Sequence, residues 1–450
     1  MTLTTILTLV TVAAALITAL TYFVLRHKDS LLVSFLQHWT GALFVFSGYV
    51  KAVDPLGTAY KMEQYFAEFE STFADTALSF IAPMFPFLAE FSVGFSVFMI
   101  VLEIVLGLAL IIGFRPKLTA WLFFAIVAFF TVLTGFTYLT GYVPSGVNFF
   151  AFSDWGPFAD SNMKVTDCGC FGDFVKLEPF TSFMKDVALL VPAVIFLFTY
   201  GRKHQLGTPK SRALAVGALA VVTLLYCMSN YVWDIPGQDF RPFKEGTNVA
   251  TVKQAEMDAA AAQQVIGYRM VNKTDGTVRE LSMDEFLRDY KNYPEETWEY
   301  NQLKSALTLE PTKISDFEMT DESGNDPIPA MLADEGVSFL IVAYKLKGEA
   351  GDWDDGYVAD WTQDIQPLAK AARAAGHQVY GLTKLNDPAA VADFRQTIGA
   401  DYPFWQGDDI MLKTIIRSNP GIVVMRNGVI LGKYHHRNAP TLEEAVGQAR

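Results

Sequence analysis

Two cysteines separated by one glycine form the motif with the clearest chemistry in this chain. They lie in Asp167-Cys168-Gly169-Cys170-Phe171-Gly172-Asp173, between two long apolar stretches. A disulfide closed across a single residue makes a small, strained ring, and strained disulfides are reduced more readily than structural ones. Gly169 favours closure because glycine adopts backbone angles that other residues resist. The motif therefore indicates a redox-active pair, with two reduced thiols or a soft-metal ligand pair as alternatives.

The neighbours of the pair and the third cysteine bear on the same chemistry. Asp167 and Asp173 should raise the thiol pKa values, which disfavours a highly activated thiolate. Cys227 is the remaining cysteine, near the end of the last apolar stretch. We interpret it as a small apolar residue in a helix interface, with a resolving thiol as the alternative. Three cysteines do not suggest a disulfide-stapled fold.

A carboxylate inside an apolar stretch is the second candidate for chemistry. Glu103 interrupts the run from Phe91 to Phe114, and a charge near mid-membrane costs roughly 2.5–3.5 kcal/mol on insertion scales. The structural interpretation is a hydrogen bond from a neighbouring helix, with His38, Trp39 or Trp121 as donors. The functional interpretation is a proton site coupled to redox chemistry. His38 itself is expected to be a packed polar residue.

The apolar stretches that must position these residues are long enough to cross a bilayer. The chain is 51% hydrophobic and only 18% charged, whereas soluble domains average about 25% charged. A spanning helix needs about 20 mostly apolar residues. The fifth run is short unless residues 180–186 continue its helix. Six stretches qualify: Leu3–Leu25, Leu31–Val50, Phe91–Phe114, Leu118–Leu139, Val187–Tyr200 and Ala213–Trp233.

The distribution of charge predicts the orientation of these spans. Lys and Arg collect in the short loops at 26–28, 115–117 and 202–212, which should therefore face the cytoplasm. The cysteine loop and everything after Trp233 then lie on the outer, oxidising side of a bacterial inner membrane. Up to Trp233 there are 13 Lys and Arg against 14 Asp and Glu, and beyond it 22 against 34. This acidic C-terminal part argues against binding of nucleic acid.

Two segments of the membrane part resemble a known family. Residues 43–55, Leu-Phe-Val-Phe-Ser-Gly-Tyr-Val-Lys-Ala-Val-Asp-Pro, are similar to the first-helix signature of DoxX-like membrane proteins. Residues 168–173, Cys-Gly-Cys-Phe-Gly-Asp, resemble the cysteine loop of the MauE branch, which is linked to methylamine dehydrogenase maturation. The resemblance covers residues 31–233. It implies a four-helix membrane bundle, here the second to fifth spans, and thiol redox chemistry.

The last 140 or so residues alternate between strand-like and helix-like segments. Val429–Tyr434 should pair with Gly421–Arg426 across Asn427-Gly428, a strong hairpin signal. Helices are expected near Ala359–Ala375, Pro388–Ile398 and Ile410–Arg417. The other predicted strands are Ser315–Thr320, Val337–Tyr344 and Gln378–Thr383.

This order of elements resembles a thioredoxin-like domain. The resemblance implies a cis bond between Asn419 and Pro420 and an extended client polypeptide bound beside them. The active-site cysteines of that fold should follow the strand ending at Tyr344, where residues 345–355 contain none. This domain therefore cannot perform dithiol exchange. His435 and His436 are interpreted as surface residues, with metal binding as the alternative.

These observations predict an α-helical polytopic membrane bundle followed by an α/β thioredoxin-like domain. Function is expected to be thiol–disulfide redox or protein maturation on the periplasmic side, through Cys168 and Cys170. The alternative is a non-catalytic membrane scaffold whose cysteine-free domain binds a partner. A quinone is one candidate electron acceptor, the partners are membrane lipid and a periplasmic protein client, and no metal ligands are assigned. The expected divisions are 1–30, an additional spanning helix; 31–204, the bundle; 205–233, the sixth span; 234–308, a linker with a helical segment; and 309–450, the thioredoxin-like domain.

Overall fold

The protein divides into two compact units, Met1–Tyr231 and Val232–Arg450. In this computed structural model the described residues are 2–26, 30–165, 169–274, 276–309 and 311–447. Cys168 and Asp167 of the cysteine motif lie outside the described residues, as do His27 and Lys28 of the first basic loop.

The first unit is built from helices. Short 3-10 turns lie at Ser79–Ile81, Phe152–Asp154, Asp160–Asn162 and Tyr200–Arg202, and π-helical turns at Leu20–Val24 and Ser229–Trp233. Its α-helices are α1 (Leu3–Ala19), α2 (Leu31–Val53), α3 (Pro55–Ala74), α4 (Met84–Glu90), α5 (Ser92–Ile112), α6 (Pro116–Thr140), α7 (Pro179–Thr199) and α8 (Pro209–Met228).

Among the described residues, six helical segments are long and apolar enough to cross a membrane. They are Leu3–Val24, Leu31–Val53, Ser92–Ile112, Pro116–Thr140, Pro179–Arg202 and Pro209–Trp233. All six predicted spans are thereby found as helices, and together they suggest a multi-pass membrane protein. The fifth is not short, because its helix begins at Pro179 and includes residues 180–186.

The aromatic segment between the second and third spans forms two helices that pack on the bundle. Tyr65 on α3 hydrogen-bonds through its hydroxyl to Thr137 on α6, at 2.7 Å between the two oxygens. Phe69 stacks at an angle against Phe136, with ring centroids 5.0 Å apart. This segment is therefore packed against the membrane-spanning helices, with α3 in contact with α6.

The second unit centres on a mixed β-sheet with helices against it. Its helices are α9 (Val249–Ala261), α10 (Met283–Asp289), α11 (Ile328–Leu332), α12 (Asp355–Ala359), α13 (Gln366–Ala374), α14 (Pro388–Thr397), α15 (Asp409–Ile415) and α16 (Leu442–Gly447). Its strands are β1 (Val265–Asn272), β2 (Val278–Ser282), β3 (Trp298–Lys304), β4 (Val337–Ala343), β5 (Gly348–Glu349), β6 (Asp352–Trp353), β7 (Gln378–Lys384), β8 (Phe404–Gly407), β9 (Gly421–Arg426) and β10 (Val429–His435).

Within the described ranges, the central sheet has the order β10-β9-β4-β7-β8. β4, β7 and β8 are parallel, whereas β9 and β10 run antiparallel to their neighbours. β4 is buried along its whole length. Phe339 and Ile341 join one apolar cluster while Leu340 and Val342 join another, so the sheet is covered on both faces.

Most predicted elements of this unit are present, and several further elements were not predicted. The β9–β10 hairpin turns at Asn427 and Gly428, both with positive φ, as predicted. The expected strand at Ser315–Thr320 is wrong: Ile314–Asp316 is a 3-10 turn, and Thr320 makes only an isolated bridge to Gln406. The short strand β8 was not anticipated. Nor was the three-stranded sheet β2-β1-β3, whose strands alternate weakly and fully bury only Gly267 and Met270.

Candidate functional site

The site begins with an unusually close crossing of α2 and α5. A Cβ atom added to Gly107 would lie 2.7 Å from the carbonyl oxygen of Gly41, and one added to Gly41 would lie 2.6 Å from the carbonyl oxygen of Gly107. A Cβ atom added to Gly48 would lie 2.4 Å from the Cγ1 atom of Ile104. Small residues let helix backbones approach closely in membranes. This crossing brings polar side chains of α2 within hydrogen-bonding distance of Glu103.

Glu103 is held by two residues of α2 that are four positions apart. Lys51 Nζ lies 2.8 Å from Glu103 Oε2, in an ion pair whose side chains are 9% and 4% exposed. The Ser47 hydroxyl lies 2.8 Å from Glu103 Oε1. Residues at i and i+4 share one face of a helix, so both reach the same carboxylate. The cost of burying Glu103 is thereby offset by an opposite charge and a hydrogen bond.

The donors expected for Glu103 are not the ones found. His38 pairs with the Thr18 hydroxyl at 2.9 Å and stacks on His204, with ring centroids 4.5 Å apart. Trp39 donates its indole N–H to Thr11, and the side chain of Trp121 is largely exposed. His38 is a packed polar residue, as predicted. The true partner Lys51 was missed because it was assigned to the loop after the span, whereas α2 continues to Val53.

The described part of the cysteine loop is tied to this carboxylate through Ser47. The Ser47 hydroxyl lies 2.9 Å from the carbonyl oxygen of Cys170, as well as 2.8 Å from Glu103. A hydroxyl has one proton, so it faces two competing acceptors. Gly169 and Gly172 both have positive φ, which glycine adopts without strain. Phe171 is buried among the bundle residues and fixes the loop beside them.

A cavity of about 80 Å³ opens beside Cys170. At roughly 10–15 Å³ for each water, it has room for several water molecules. Both Lys51 and Glu103 line it, together with a second ion pair, Lys185 with Asp186, on α7. Thr134 on α6 donates to Asp186 at 3.1 Å. The cavity wall therefore carries two carboxylates, each with its own ammonium group and hydroxyl donor.

Apolar and aromatic residues complete the cavity, and α3 covers part of it. Phe44, Phe130 and Phe171 contribute rings, and Lys51 lies 5.1 Å from the centroid of the Phe130 ring. Thr58, Lys61, Met62 and Tyr65 of α3 form a wall opposite. The aromatic segment thus covers part of a cavity next to the cysteine loop.

Cys227 lies in a different environment. It is fully buried on α8, in an apolar cluster with Ala52, Val97, Ile100 and Ile104. Cys170 belongs to another cluster, which includes Phe171 and the cavity wall. The placement of Cys227 is that of a small apolar side chain in a helix interface.

In the second unit, Asn419 anchors the loop that precedes β9. Its side-chain N–H donates to the carbonyl oxygen of Lys345 at 2.7 Å, directly after β4. The Asn419–Pro420 peptide bond is cis, as predicted. The hydroxyl of Tyr357 lies 3.4 Å from Asn419 Oδ1, and burial raises its pKa, so it is a proton donor throughout the ordinary pH range. The loop is thus held against the end of β4, where residues 345–355 have no cysteine.

The interpretation of His435 and His436 as surface residues is wrong. Both are buried, with 4% and 6% of their surface exposed. His436 Nδ1 lies 2.8 Å from Asp364 Oδ2, on the helix that covers the sheet, and its backbone N–H donates to Ser418 at 3.2 Å. The sequence places these groups 72 positions apart, so their contact depends on the packing of the helix against the end of β10.

A second buried charge cluster in this unit joins the segment after Trp233 to β10. The Arg241 side chain donates two hydrogen bonds to Asp239, at 2.8 and 2.9 Å, and its backbone N–H donates a third at 3.0 Å. Lys433 donates a fourth at 2.6 Å. Burial alone would raise the pKa of Asp239, but Arg241 and Lys433 outweigh it and lower that pKa. Burial, together with Arg241, lowers the pKa of Lys433 to about 7.

Comparisons with protein-family models, curated proteins and solved structures found no match for this chain. The chemistry of the site therefore has to be interpreted from its own residues. Ser47 and Lys51 could have been found from the sequence, because their spacing places them on one helix face within the segment that resembles the DoxX-like signature. Lys185 and Asp186 lacked such a signal, since adjacent residues do not share a helix face.

Proposed function

We propose that this protein is a membrane-bound thiol–disulfide redox or maturation factor that acts through Cys168 and Cys170. The observation that carries the proposal is the contact of the Ser47 hydroxyl with both the Cys170 carbonyl oxygen and the buried Glu103. It connects the backbone of the cysteine loop to a buried ionisable group beside a cavity. Intramembrane ionisable residues are functional candidates by default.

The proposed reaction oxidises a dithiol of a client protein. A client thiolate attacks one sulfur of the Cys168–Cys170 disulfide, which breaks that bond and forms a mixed disulfide. A second client thiolate then displaces the loop cysteine, leaving an oxidised client and two reduced thiols in the loop. Two electrons and two protons have then passed from the client to the pair.

Glu103 is the proposed proton site for this step. When Glu103 is ionised, Ser47 donates to it; when Glu103 is protonated, Ser47 is released to donate to the Cys170 carbonyl oxygen. The protonation state of the carboxyl group would thereby change the hydrogen bonding of the cysteine loop. When the Glu103 carboxylate is charged, Lys51 is its ion-pair partner.

A quinone is the candidate electron acceptor, and side chains of the cavity wall offer contacts for its head group, although the cavity would have to widen to admit it. The rings of Phe44 and Phe130 offer stacking surfaces, and the ammonium groups of Lys51 and Lys185 are donors for carbonyl oxygens. Such a group, when bound, would supply the two-electron oxidant that restores the loop disulfide.

The second unit is proposed to be a thioredoxin-like domain that holds the client without exchanging thiols with it. The strand order β10-β9-β4-β7-β8 and the anchored Asn419–Pro420 loop support this assignment. The absence of cysteine from residues 345–355 leaves Cys168 and Cys170 as the thiols for exchange. The DoxX-like and MauE-type relationship of the membrane part remains part of the same proposal.

The proposal requires the cysteine loop and the second unit to lie in the periplasm. A reporter that is active only in the cytoplasm should be silent when fused after Arg450. The same reporter inserted in the basic loop at residues 115–117 should be active. Activity after Arg450 would contradict the orientation and remove the oxidising environment from the redox argument.

The redox step is tested with full-length protein in native membranes. Differential alkylation across a glutathione series should show Cys168 and Cys170 passing together between disulfide and dithiol. Their potential should lie above that of structural disulfides, which is typically below about −300 mV. A Cys168→Ser variant should trap a mixed disulfide between Cys170 and a client.

Cys227→Ser is the matched control and should leave the redox behaviour of the loop unchanged. If Cys168 and Cys170 stay reduced in an oxidising buffer, and neither Cys168→Ser nor Cys170→Ser changes client oxidation, the redox proposal fails. The scaffold alternative, in which the second unit only binds a partner polypeptide, would then take its place.

A further inference from the structure

Three metal-ligating side chains converge in the second unit, away from the cysteine motif in sequence. The ligand atoms of Asp360, Asp364 and His436 all lie within 4.8 Å of one another. His436 Nδ1 is 2.8 Å from Asp364 Oδ2 and 3.8 Å from Asp360 Oδ1. None of these residues has a role in the redox proposal.

Local structure explains why the three groups meet. Asp360 and Asp364 lie four positions apart on a π-helical turn, Asp360–Ile365, that joins α12 to α13. Single π-helical turns inside α-helices occur frequently at functional sites. His436 begins the 3-10 turn that ends β10, and its backbone N–H is fixed by Ser418. The imidazole is therefore rigidly placed above two carboxylates that share a helix face.

Two carboxylates share a single imidazole in this cluster. Among the described residues, neither Asp360 nor Asp364 has a Lys or Arg within ion-pair distance, and His436 is the ion-pair partner of both. Even a protonated imidazole would leave a net negative charge. A divalent cation would neutralise two carboxylates and bind a neutral imidazole, which is the form that coordinates metals.

The geometry matches a zinc site that keeps open positions. Zinc binds imidazole nitrogen and carboxylate oxygen at about 2.0–2.2 Å, which in a tetrahedral site places neighbouring ligand atoms roughly 3.3–3.6 Å apart. The observed separations of 2.8 and 3.8 Å lie on either side of that value. The His436 side chain is 7% exposed, whereas the two carboxylates are each about one-third exposed, at 32% and 33%. Three protein ligands that open to solvent on one side leave room for a water or an external ligand.

We propose that Asp360, Asp364 and His436 bind a divalent transition-metal ion, with Zn²⁺ as the best match to one nitrogen and two oxygen ligands. The site is coupled to the Asn419–Pro420 loop, because Ser418 accepts the His436 N–H and donates its own hydroxyl to the Pro420 carbonyl oxygen. Metal binding would therefore hold that loop in place. An external ligand, such as a carboxylate of a bound polypeptide, would complete the coordination.

The test uses the full chain purified in detergent, with a tag that lacks histidine and with its thiols alkylated. Alkylation removes the cysteine motif as a competing ligand. Calorimetric titration with Zn²⁺ should give one site per chain, and Asp364→Asn should weaken that site at least tenfold. Ca²⁺, which prefers oxygen ligands, should bind much more weakly. Co²⁺ should give visible absorption bands without thiolate charge transfer.

Two control variants outside the site and one further variant of a proposed ligand complete the test. Asp355→Asn changes an exposed carboxylate of α12, and His377→Gln changes a histidine outside the cluster; both should bind Zn²⁺ as the parent does. His436→Gln should lose the site, with circular dichroism as the check on folding. No stoichiometric Zn²⁺ binding, or binding unchanged in both Asp364→Asn and His436→Gln, would overturn the proposal. Neither result depends on the redox activity of the cysteine loop.

Discussion

Each unit of this protein buries a carboxylate against cations, but the two clusters are built differently. In the membrane unit, Glu103 has one ammonium partner, Lys51, and one hydroxyl whose single proton faces a second acceptor. In the other unit, Asp239 accepts four hydrogen bonds from Arg241 and Lys433, and Lys433 also donates to the Phe243 carbonyl oxygen at 2.7 Å.

Because of this difference, Glu103 can change its charge without losing all its partners, whereas Asp239 serves to hold two segments of the chain together. Glu103 lines a cavity. If Glu103 loses its charge, the Ser47 hydroxyl can donate to the Cys170 carbonyl oxygen instead. Among the described residues, the Asp239 cluster has no hydroxyl that could shift in this way. Lys433 and Arg241 both donate directly to Asp239, and the Arg241 guanidinium contacts both carboxylate oxygens. We infer that the first cluster is suited to proton-coupled chemistry and the second to joining residues 239–243 to β10.

The largest effect is expected where the helix crossing that builds the first cluster is removed. Gly107→Val should abolish the folded membrane unit, because even a Cβ atom would lie 2.7 Å from the Gly41 carbonyl oxygen. Gly94→Val, on the same helix with nothing within 4 Å of its added Cβ, should be tolerated. Fluorescence-detected size exclusion in detergent measures the difference. Equal yields of monodisperse protein would contradict the close crossing.

Breaking the Lys51–Glu103 pair from one side should be the next largest effect. Glu103→Gln leaves Lys51 buried without its counter-ion, at an expected cost of about 3–5 kcal/mol. The double variant Glu103→Leu with Lys51→Met removes both charges and should recover most of the thermal stability. Unfolding in detergent, followed by reactivity of the buried Cys227, measures this.

The same double variant distinguishes a structural pair from a functional one. If Glu103 is the proton site, the double variant should be stable but should oxidise the client poorly. Full redox activity of a stable double variant would show that the pair serves structure alone.

The membrane spans were predictable because about 20 apolar residues in a row leave few alternatives in lipid. Glu103 stood out for the same reason, since a lone charge in such a run needs a partner. The partner Lys51 was missed because it lies at the end of a span, where its assignment to helix or loop depends on where α2 stops. The only signal for it was its spacing of four positions from Ser47. Helix ends are defined less sharply than helix centres.

In the second unit, the limits of prediction have other causes. The hairpin at Asn427-Gly428 was predictable from turn chemistry alone. The strands β1 to β3 were not, because residues such as those of β2, Val-Arg-Glu-Leu-Ser, lack a clean alternation of apolar and polar side chains. The burial of His436 was also out of reach, since its partners Asp360 and Asp364 come from a distant helix.

The Asp239 cluster should show a smaller and pH-dependent effect. Asp239→Asn should cost about 2–3 kcal/mol, less than the full cost of breaking a buried pair, because the pKa of Lys433, lowered to about 7, lets it lose its proton. Hydrogen exchange at β10 measures the local loss. Asp258→Asn, an exposed carboxylate on α9, is the control.

The sign of the pH effect follows from the lowered pKa of Asp239. A carboxyl group whose folded pKa is lower than its unfolded value stabilises the fold above the unfolded pKa, here 3.8. That stabilisation is lost as the pH falls through the folded pKa. Protection of β10 in the parent should therefore decline below about pH 4, and the decline should be absent in Asp239→Asn. An identical decline in both proteins would assign it to other groups.

The smallest expected effect concerns the single hydroxyl that sets the first cluster apart from the second. Ser47→Ala removes the donor to both the Cys170 carbonyl oxygen and Glu103, at a cost of about 1 kcal/mol. The cysteine loop would lose its anchor to α2, so Cys170 should be alkylated roughly fivefold faster, the kinetic equivalent of that energy. Ser96→Ala is the matched control, because Ser96 donates to the Pro55 carbonyl oxygen at 2.7 Å within the same unit. Alkylation of Cys170 at equal rates in the parent and both variants would mean that Ser47 does not connect the loop to Glu103, and the two clusters would then be alike in serving only stability.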